Sequence, residues 1–241
     1  MKLKKDRAIT QEEETVYEPI KLIEFRNVSL TFPGQKEAVI KQINMTIGME
    51  EKVTIVGAQE SGKSILMKML LGMYKPTTGN IYINGVNMNK LDKKQIRKQI
   101  AMVPEDVMLY NKSLYENLTL GEEDITEQEV FNATKRIDIH SYIDSLPDKY
   151  DTLITDFGMK MPVDKKQQIA IARTMVHSYS VVILDGVLDE MDEKHREKIV
   201  SYFMKQPVIC FFLSHKGVVA DGDGVERKFL LHNGVMTQTK E

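Results

Sequence analysis

The sequence predicts an α/β domain with a parallel-sheet core, an antiparallel β portion and an inserted helical portion. Three observations predict it. An apolar run, Val53 to Val56, leads into Gly57-Ala-Gln-Glu-Ser-Gly62-Lys63-Ser64, a loop of the form G-x-x-x-x-G-K-[ST], and an apolar helical stretch follows. Toward the C-terminus, helix and strand patterns alternate as a parallel sheet with crossover helices requires. At 241 residues and 42% hydrophobic, the chain is long enough to bury the core of one domain.

In chain order, residues 1–19 are charged and lack apolar periodicity, Lys2, Lys4 and Lys5 being followed by Glu12, Glu13 and Glu14. They read as a linker or arm, so the folded domain is expected over 20–241. Ile20 to Phe32 and Ala38 to Ile47 read as strands on either side of the turn Pro33-Gly34, and Asn80 to Asn84 as a third strand fenced by Gly79 and Gly85. Together they predict an antiparallel sheet beside the loop. Val53 to Val56 is a buried strand, and Ile65 to Leu71 a helix closed by Gly72. Between Lys93 and Tyr142 the pattern is helical. There Thr126 and Glu129 have the spacing of a capping box ahead of Val130, Phe131, Ala133 and Ile137. Helix Lys165 to His177, strand Val181 to Leu184, helix Glu193 to Met204 and strand Val208 to Leu213 complete the reading.

Composition removes several function classes. A net charge of −2 gives no reason to expect nucleic acid as a partner. The one cysteine, Cys210, sits in the apolar run Val208-Ile-Cys-Phe-Phe-Leu213 and reads as core, so a reducing compartment fits. The longest apolar runs are strand-sized, short of the roughly 20 residues a membrane helix needs.

The loop carries the chemistry. Such a loop wraps a triphosphate with successive backbone N–H groups at a helix N-terminus, here over Gly57, Gln59, Glu60, Ser61, Gly62, Lys63, Ser64 and Ile65. The Lys63 ammonium suits the outer phosphates and the Ser64 hydroxyl suits Mg²⁺. Asp185 ends the apolar strand Val181-Val-Ile-Leu. A carboxylate there is costly unless a cation or donors meet it, and Mg²⁺ held through Ser64 supplies one, while capping of the next turn is the structural alternative.

Further segments carry a resemblance. Ile23-Glu-Phe-Arg-Asn-Val-Ser-Leu-Thr-Phe32-Pro-Gly, Gly72-Met-Tyr-Lys-Pro-Thr-Thr-Gly79-Asn-Ile-Tyr-Ile-Asn-Gly85, Leu146-Pro-Asp-Lys-Tyr-Asp-Thr152 and Gln168-Ile-Ala-Ile-Ala-Arg173 stand in the order of family landmarks. From about residue 20 to 236 the chain resembles the nucleotide-binding domain of an ABC transporter, of the exporter type. The resemblance implies a P-loop NTPase (RecA-like) core with an antiparallel β subdomain and a helical subdomain over about 106–176. It implies ATP and Mg²⁺ as ligands, with Phe32 stacking on adenine, although a strand-end aromatic also serves a core. Asp185 becomes the Walker B aspartate, and His215, after Cys210-Phe-Phe-Leu-Ser214, the switch that contacts the γ-phosphate. Glu105, in Met102-Val-Pro-Glu-Asp106, joins Ser64 and Asp185 as a metal position. The implied partners are the transmembrane domain of an exporter and a second nucleotide-binding domain, at the cytoplasmic face of the cell membrane. The charged arm resembles the linker to a membrane domain ahead of residue 1.

Against that resemblance, parts of the hydrolytic apparatus are missing. The family places a glutamate after the Walker B aspartate to orient and deprotonate water; here Gly186 stands there. General-base contributions run at about 10²–10⁴-fold, so hydrolysis is expected to be slow. Asp189, Glu190 or Glu105 are stand-in candidates. The family signature LSGGQ aligns with Met161-Pro-Val-Asp-Lys165, where Pro162 lacks hydroxyl and N–H and Val163 blocks close approach. Asp164 brings a negative charge and is expected to N-cap the Lys165 helix, with Lys165 and Lys166 offsetting the charge. Glu105 replaces a glutamine and Glu60 a glycine, each adding a carboxylate near the phosphates. A homodimer would have neither composite site intact, so a competent heterologous partner is expected. Besides the MgATP-binding exporter domain with impaired hydrolysis, two readings stay open: an active ATPase motor with an unusual base, and a nucleotide-free interaction module.

Overall fold

A computed structural model describes residues 18–219, 225 and 227–239, so the charged arm before Glu18 lies outside the described residues. Strands β1 (Leu22–Leu30) and β2 (Ile40–Gly48) pair antiparallel across the Pro33-Gly34 turn, with Ile23 opposite Ile47 and Phe25 opposite Met45. Their alternate residues are buried, as period-2 patterning on a one-sided sheet requires. Strand β3 (Lys52–Val56) runs through the glycine loop into helix α1 (Lys63–Leu70). Strands β4 (Thr78–Ile83) and β5 (Val86–Asn87) then complete a four-stranded antiparallel sheet in the order β2-β1-β4-β5, one strand more than the sequence predicts.

Helix α2 (Lys93–Lys98) is capped by Asp92, whose side chain accepts from the Lys94 N–H. Strand β6 (Ile100–Val103) follows and corrects the all-helical reading of 93–142. A four-residue apolar run is too short for its period to separate strand from helix. Helices α3 (Leu114–Thr119), α4 (Glu127–Arg136), α5 (His140–Asp144) and α6 (Val163–Val176) lie between β6 and the next strand, β7 (Val181–Asp185). Helix α7 (Glu193–Met204) and strand β8 (Ile209–Ser214) fall where the sequence places them, within one residue. Strands β9 (Arg227–His232) and β10 (Val235–Gln238) form a closing hairpin beyond the elements the sequence predicts.

The second sheet has the order β10-β9-β3-β8-β7-β6; β9, β3, β8, β7 and β6 are parallel and β10 is its antiparallel edge. Strands β7 and β8 are buried along their whole length, which is why they read as continuous apolar runs. Their alternate side chains enter two cores. Val181, Ile183, Ile209 and Phe211 pack with the antiparallel sheet, α1 and α2. Val182, Leu184, Cys210 and Phe212 pack with α3, α4, α6 and α7. Cys210 is fully buried, as predicted, and burial pushes its thiol pKa up. Among the described residues, no helix is long and apolar enough to cross a membrane.

Helix α6 begins at Val163, two residues earlier than expected, with Pro162 in extended conformation at its N-cap. A proline loses nothing where the N–H has no helical acceptor. Asp164 is therefore not the cap. It sits in the first helical turn, where a carboxylate complements the helix dipole.

Candidate functional site

The β3–α1 loop is held from below by its neighbours. Gly57 N–H donates to the Ser214 carbonyl (3.1 Å) at the end of β8. A Cβ at Gly57 would lie 2.3 Å from the Leu231 carbonyl and 2.7 Å from Ser61 Oγ, so only glycine lets the loop leave the sheet here. Gly62, at φ 103, N-caps α1 in a left-handed conformation and accepts from the Leu66 N–H (2.9 Å). Gln59 and Glu60 are exposed, so the Glu60 carboxylate stands in solvent rather than inside the loop. With Ser61, Val39, Lys41 and Asn233 they line an open cleft of about 620 Å³.

Lys63 is the centre of the site. Its ammonium donates to the carbonyls of Gly57 (2.6 Å) and Ala58 (2.8 Å) and to Ser61 Oγ (3.3 Å). Burial pulls its pKa below the ordinary value, and Asp185, Asp189 and Glu105 each oppose that pull. Ser64, next on the helix, hydrogen-bonds the Asp185 carboxyl across from the end of β7. Burial raises the pKa of Asp185; the Ser64 hydrogen bond and Lys63 lower it, and Glu105 adds to the rise. An ammonium, a hydroxyl and a carboxylate thus meet at the N-terminus of α1. That donor and acceptor set fits a polyphosphate with a hard divalent cation, which takes oxygen ligands.

The structure places His215 in the turn after β8, fixed by Asp189, which the sequence suggests only as a stand-in base. The Asp189 side chain is 1% exposed. Its Oδ2 accepts from the His215 backbone N–H (2.8 Å) and meets His215 Nδ1 at 2.6 Å, while Oδ1 accepts from Ser214 Oγ (2.5 Å). Ser214 Oγ in turn accepts from the N–H groups of Lys216 (3.1 Å) and Gly217 (2.6 Å), closing the turn. Glu190, another stand-in candidate, pairs with Lys216 at 2.6 Å and is exposed.

Phe32 is not brought into the cleft beside the loop. It packs against the core of the antiparallel sheet and meets Tyr74 edge to face at 5.3 Å between ring centres. Gly186 has φ +68, directly after Asp185, and faces Glu105. At the start of α6, Pro162, Val163 and Asp164 are exposed, with Met161 and Lys165 half-buried on either side. Lys165 is already engaged there, with Asp164 Oδ2 (3.1 Å), Gln168 Oε1 (3.0 Å) and the Tyr142 ring (5.6 Å to its centre). Pro162 contributes no N–H, and Val163 is 59% exposed.

Comparison with known proteins is consistent with this geometry. The profile of the family described as ABC transporter matches residues 40–188. The transport/processing ATP-binding protein ComA of Streptococcus pneumoniae is 31% identical over 215 residues, 87% of this chain and 30% of that protein. A mitochondrial iron–sulfur clusters transporter of Danio rerio is 31% identical over 208 residues, 84% of this chain and 28% of that protein. ABC transporter B family member 14 of Arabidopsis thaliana is 29% identical over 220 residues, 90% of this chain and 17% of that protein. Among solved structures, a bacterial Atm1-family ABC exporter with ATP bound superposes with a TM-score of 0.81 at 25% identity, over 92% of this chain and 40% of that one. The chain therefore spans between 17% and 30% of the length of these curated relatives.

Proposed function

This chain belongs to the ABC transporter family as an exporter-type nucleotide-binding domain, and we propose on that basis that it binds MgATP around Lys63, hydrolyses it slowly, and serves a membrane domain beside a more competent second domain. The observation that carries the binding reading is the convergence of Lys63, Ser64 and Asp185 at the N-terminus of α1. When bound, MgATP supplies the phosphoanhydride and the cation that screens its charge. Lys63 is the ammonium for the outer phosphates, Ser64 and Asp185 with Glu105 the oxygen donors for the cation, and His215 the donor held by Asp189 for the terminal phosphate. Phe32 has its ring edge-on to Tyr74, and its stacking on adenine belongs to this proposal.

Slow hydrolysis follows from Gly186, which offers neither base nor water-orienting group at the position after Asp185. The second domain is proposed because Pro162, Val163 and Asp164 cannot donate to a phosphate on a facing subunit as a glycine-rich helix start does. The membrane partner is supported by exposed apolar residues within the helical portion over about 106–176. Leu109 N–H donates to the Phe157 carbonyl and Ile154 N–H to the Lys112 carbonyl, aligning two segments that expose Met108, Tyr110, Leu153, Phe157 and Met159. A place at the cytoplasmic face of the membrane follows from that partner.

Titration calorimetry tests the binding reading. MgATP gives a saturable heat, and Lys63→Ala weakens binding by about 1.5–3 kcal/mol by removing a charge-assisted contact. No saturable heat at millimolar MgATP rejects it. One observation favours the active-ATPase reading: the Glu105 carboxylate lies 3.0 Å from where a side chain on Gly186 would begin. Sustained Mg²⁺-dependent phosphate release that Glu105→Gln stops would establish that reading instead.

A further inference from the structure

The chain enters the fold through a clamp. Gln99, at the C-terminal end of α2, accepts from the Ile20 N–H with Oε1 (2.9 Å) and donates through Nε2 to the Glu18 carbonyl (3.2 Å). Asn84 accepts from the N–H groups of Lys21 (2.8 Å) and Leu22 (3.0 Å) and donates to the Pro19 carbonyl (3.0 Å). Residues 18–22 are thus held by side chains where β1 begins. Pro19 also biases Glu18 toward an extended backbone, so the clamp sets the direction in which the segment ahead of it departs. Beside the clamp lies an open cleft of about 670 Å³, lined by Pro19, Met49, Gln95, Gln99, Tyr179 and Pro207.

The charge of α2 is one-sided. The helix carries Lys93, Lys94, Arg97 and Lys98 and no acid, and Lys94, Arg97 and Lys98 are exposed. Lys94 and Lys98 stand four apart on one face, a like-charge spacing that weakens a helix, and Lys94 is a cation in the first turn, where the helix dipole disfavours it. An anion completes such a face. Residues 8–18 hold Glu12, Glu13, Glu14 and Glu18 and no cation, with the apolar pair Val16-Tyr17 just ahead of the clamp. Reach is sufficient: the four residues from Glu18 back to Glu14 span up to about 13–14 Å, and Lys94 lies five residues, about 7.5 Å of helix rise, from Gln99. We propose that residues 12–17 dock on this face of their own chain, Val16 and Tyr17 in the cleft and Glu12 to Glu14 against Lys94 and Lys98. The docking uses neither the glycine loop nor Lys63, so it goes beyond the nucleotide reading and stands without it. Its consequence is that the pull of a membrane domain ahead of residue 1 is received by α2 as well as by β1.

Cleavage of the full chain by glutamyl endopeptidase after Glu12, Glu13 and Glu14 tests it, measured against a free peptide of residues 8–18 in the same buffer. At low salt the chain is cut about 3–10-fold more slowly than the peptide, the range that a few exposed ion pairs supply. Lys94→Gln with Lys98→Gln removes most of that protection, and so does about 1 M NaCl, where the Debye length is about 3 Å. Equal rates for chain and peptide at low salt overturn the proposal, as does protection that the neutralised chain retains. Protection that rises with protein concentration also overturns it, by placing the segment on a second copy. If the neutralised chain does not fold, the salt series on the wild type decides on the same criterion. Calorimetry with MgATP on the same proteins reports on the nucleotide reading separately, since a chain that binds no nucleotide still shows the protection.

Discussion

Asp189 holds the Ser214 hydroxyl, the His215 backbone and the His215 ring at once, so the imidazole is positioned by a carboxylate rather than by its own turn. Removing the charge while keeping the shape separates positioning from packing. Asp189→Asn is expected to weaken ATP binding about 5–30-fold, through loss of charge-assisted bonds that hold His215, and to leave ADP affinity unchanged because ADP lacks the terminal phosphate. Calorimetry with both nucleotides checks this; an equal loss for ATP and ADP would show that Asp189 supports the loop as a whole. Lys63, Ser64 and Asp185 were legible in the sequence because strand, loop and helix are contiguous and the spacing is fixed. The role of Asp189 was not, since its partner lies 26 residues on, at the end of another strand. Nor was the conformation of Gly186, because a glycine letter does not say which sign of φ it uses.

Helix α4 shows a local rule surviving intact. Thr126 Oγ1 accepts from the Glu129 N–H, and the Glu129 carboxylate accepts from the Thr126 N–H and hydroxyl, the reciprocal box the spacing predicts. The Thr126 N–H, and then its hydroxyl, hold the Glu129 pKa below the ordinary value. A carboxyl with a depressed folded-state pKa stabilises the fold above its unfolded value of about 4.3, and that contribution is lost as pH falls through the folded value. The urea midpoint of the wild type is therefore expected to exceed that of Glu129→Gln at pH 7, with the two lines converging once pH drops below about 4. A gap that persists in acid would mean that the substitution acts through something other than the charged cap. Ser113 and Glu116 make the same box on α3, a helix of only six residues whose period is too short to stand out in the sequence. Strand β6 was missed for a complementary reason: its identity comes from parallel pairing with β7, Ile100 beside Val181, and nothing local announces that partner.

At the scale of the molecule, the Lys63 site and the start of α6 lie on separate elements of one domain, and the resemblance assigns them to opposite sides of two composite sites in a head-to-tail pair. ATP joins such a pair mainly because each helix start donates to the phosphate on the facing subunit. Here that start is Pro162 without an N–H, Val163 turned outward and Asp164 as an anion, which at about 4 Å and an effective dielectric of about 20 costs on the order of 4 kcal/mol against one phosphate charge. The structure removes the compensation the sequence suggested from Lys165, since that ammonium is already engaged by Asp164, Gln168 and the Tyr142 ring. Self-association driven by nucleotide is therefore expected to be absent: in light-scattering chromatography the chain runs as a monomer in excess MgATP. Replacing residues 161–165 by Leu-Ser-Gly-Gly-Gln restores N–H donors and removes the anion, at a cost of about 1 kcal/mol in helix propensity for each glycine within the helix. That variant should form a dimer only with ATP, and the slow hydrolysis proposed from Gly186 would let the dimer persist. A wild-type dimer that appears only with ATP would refute this, and would place the adhesive contacts outside the α6 start.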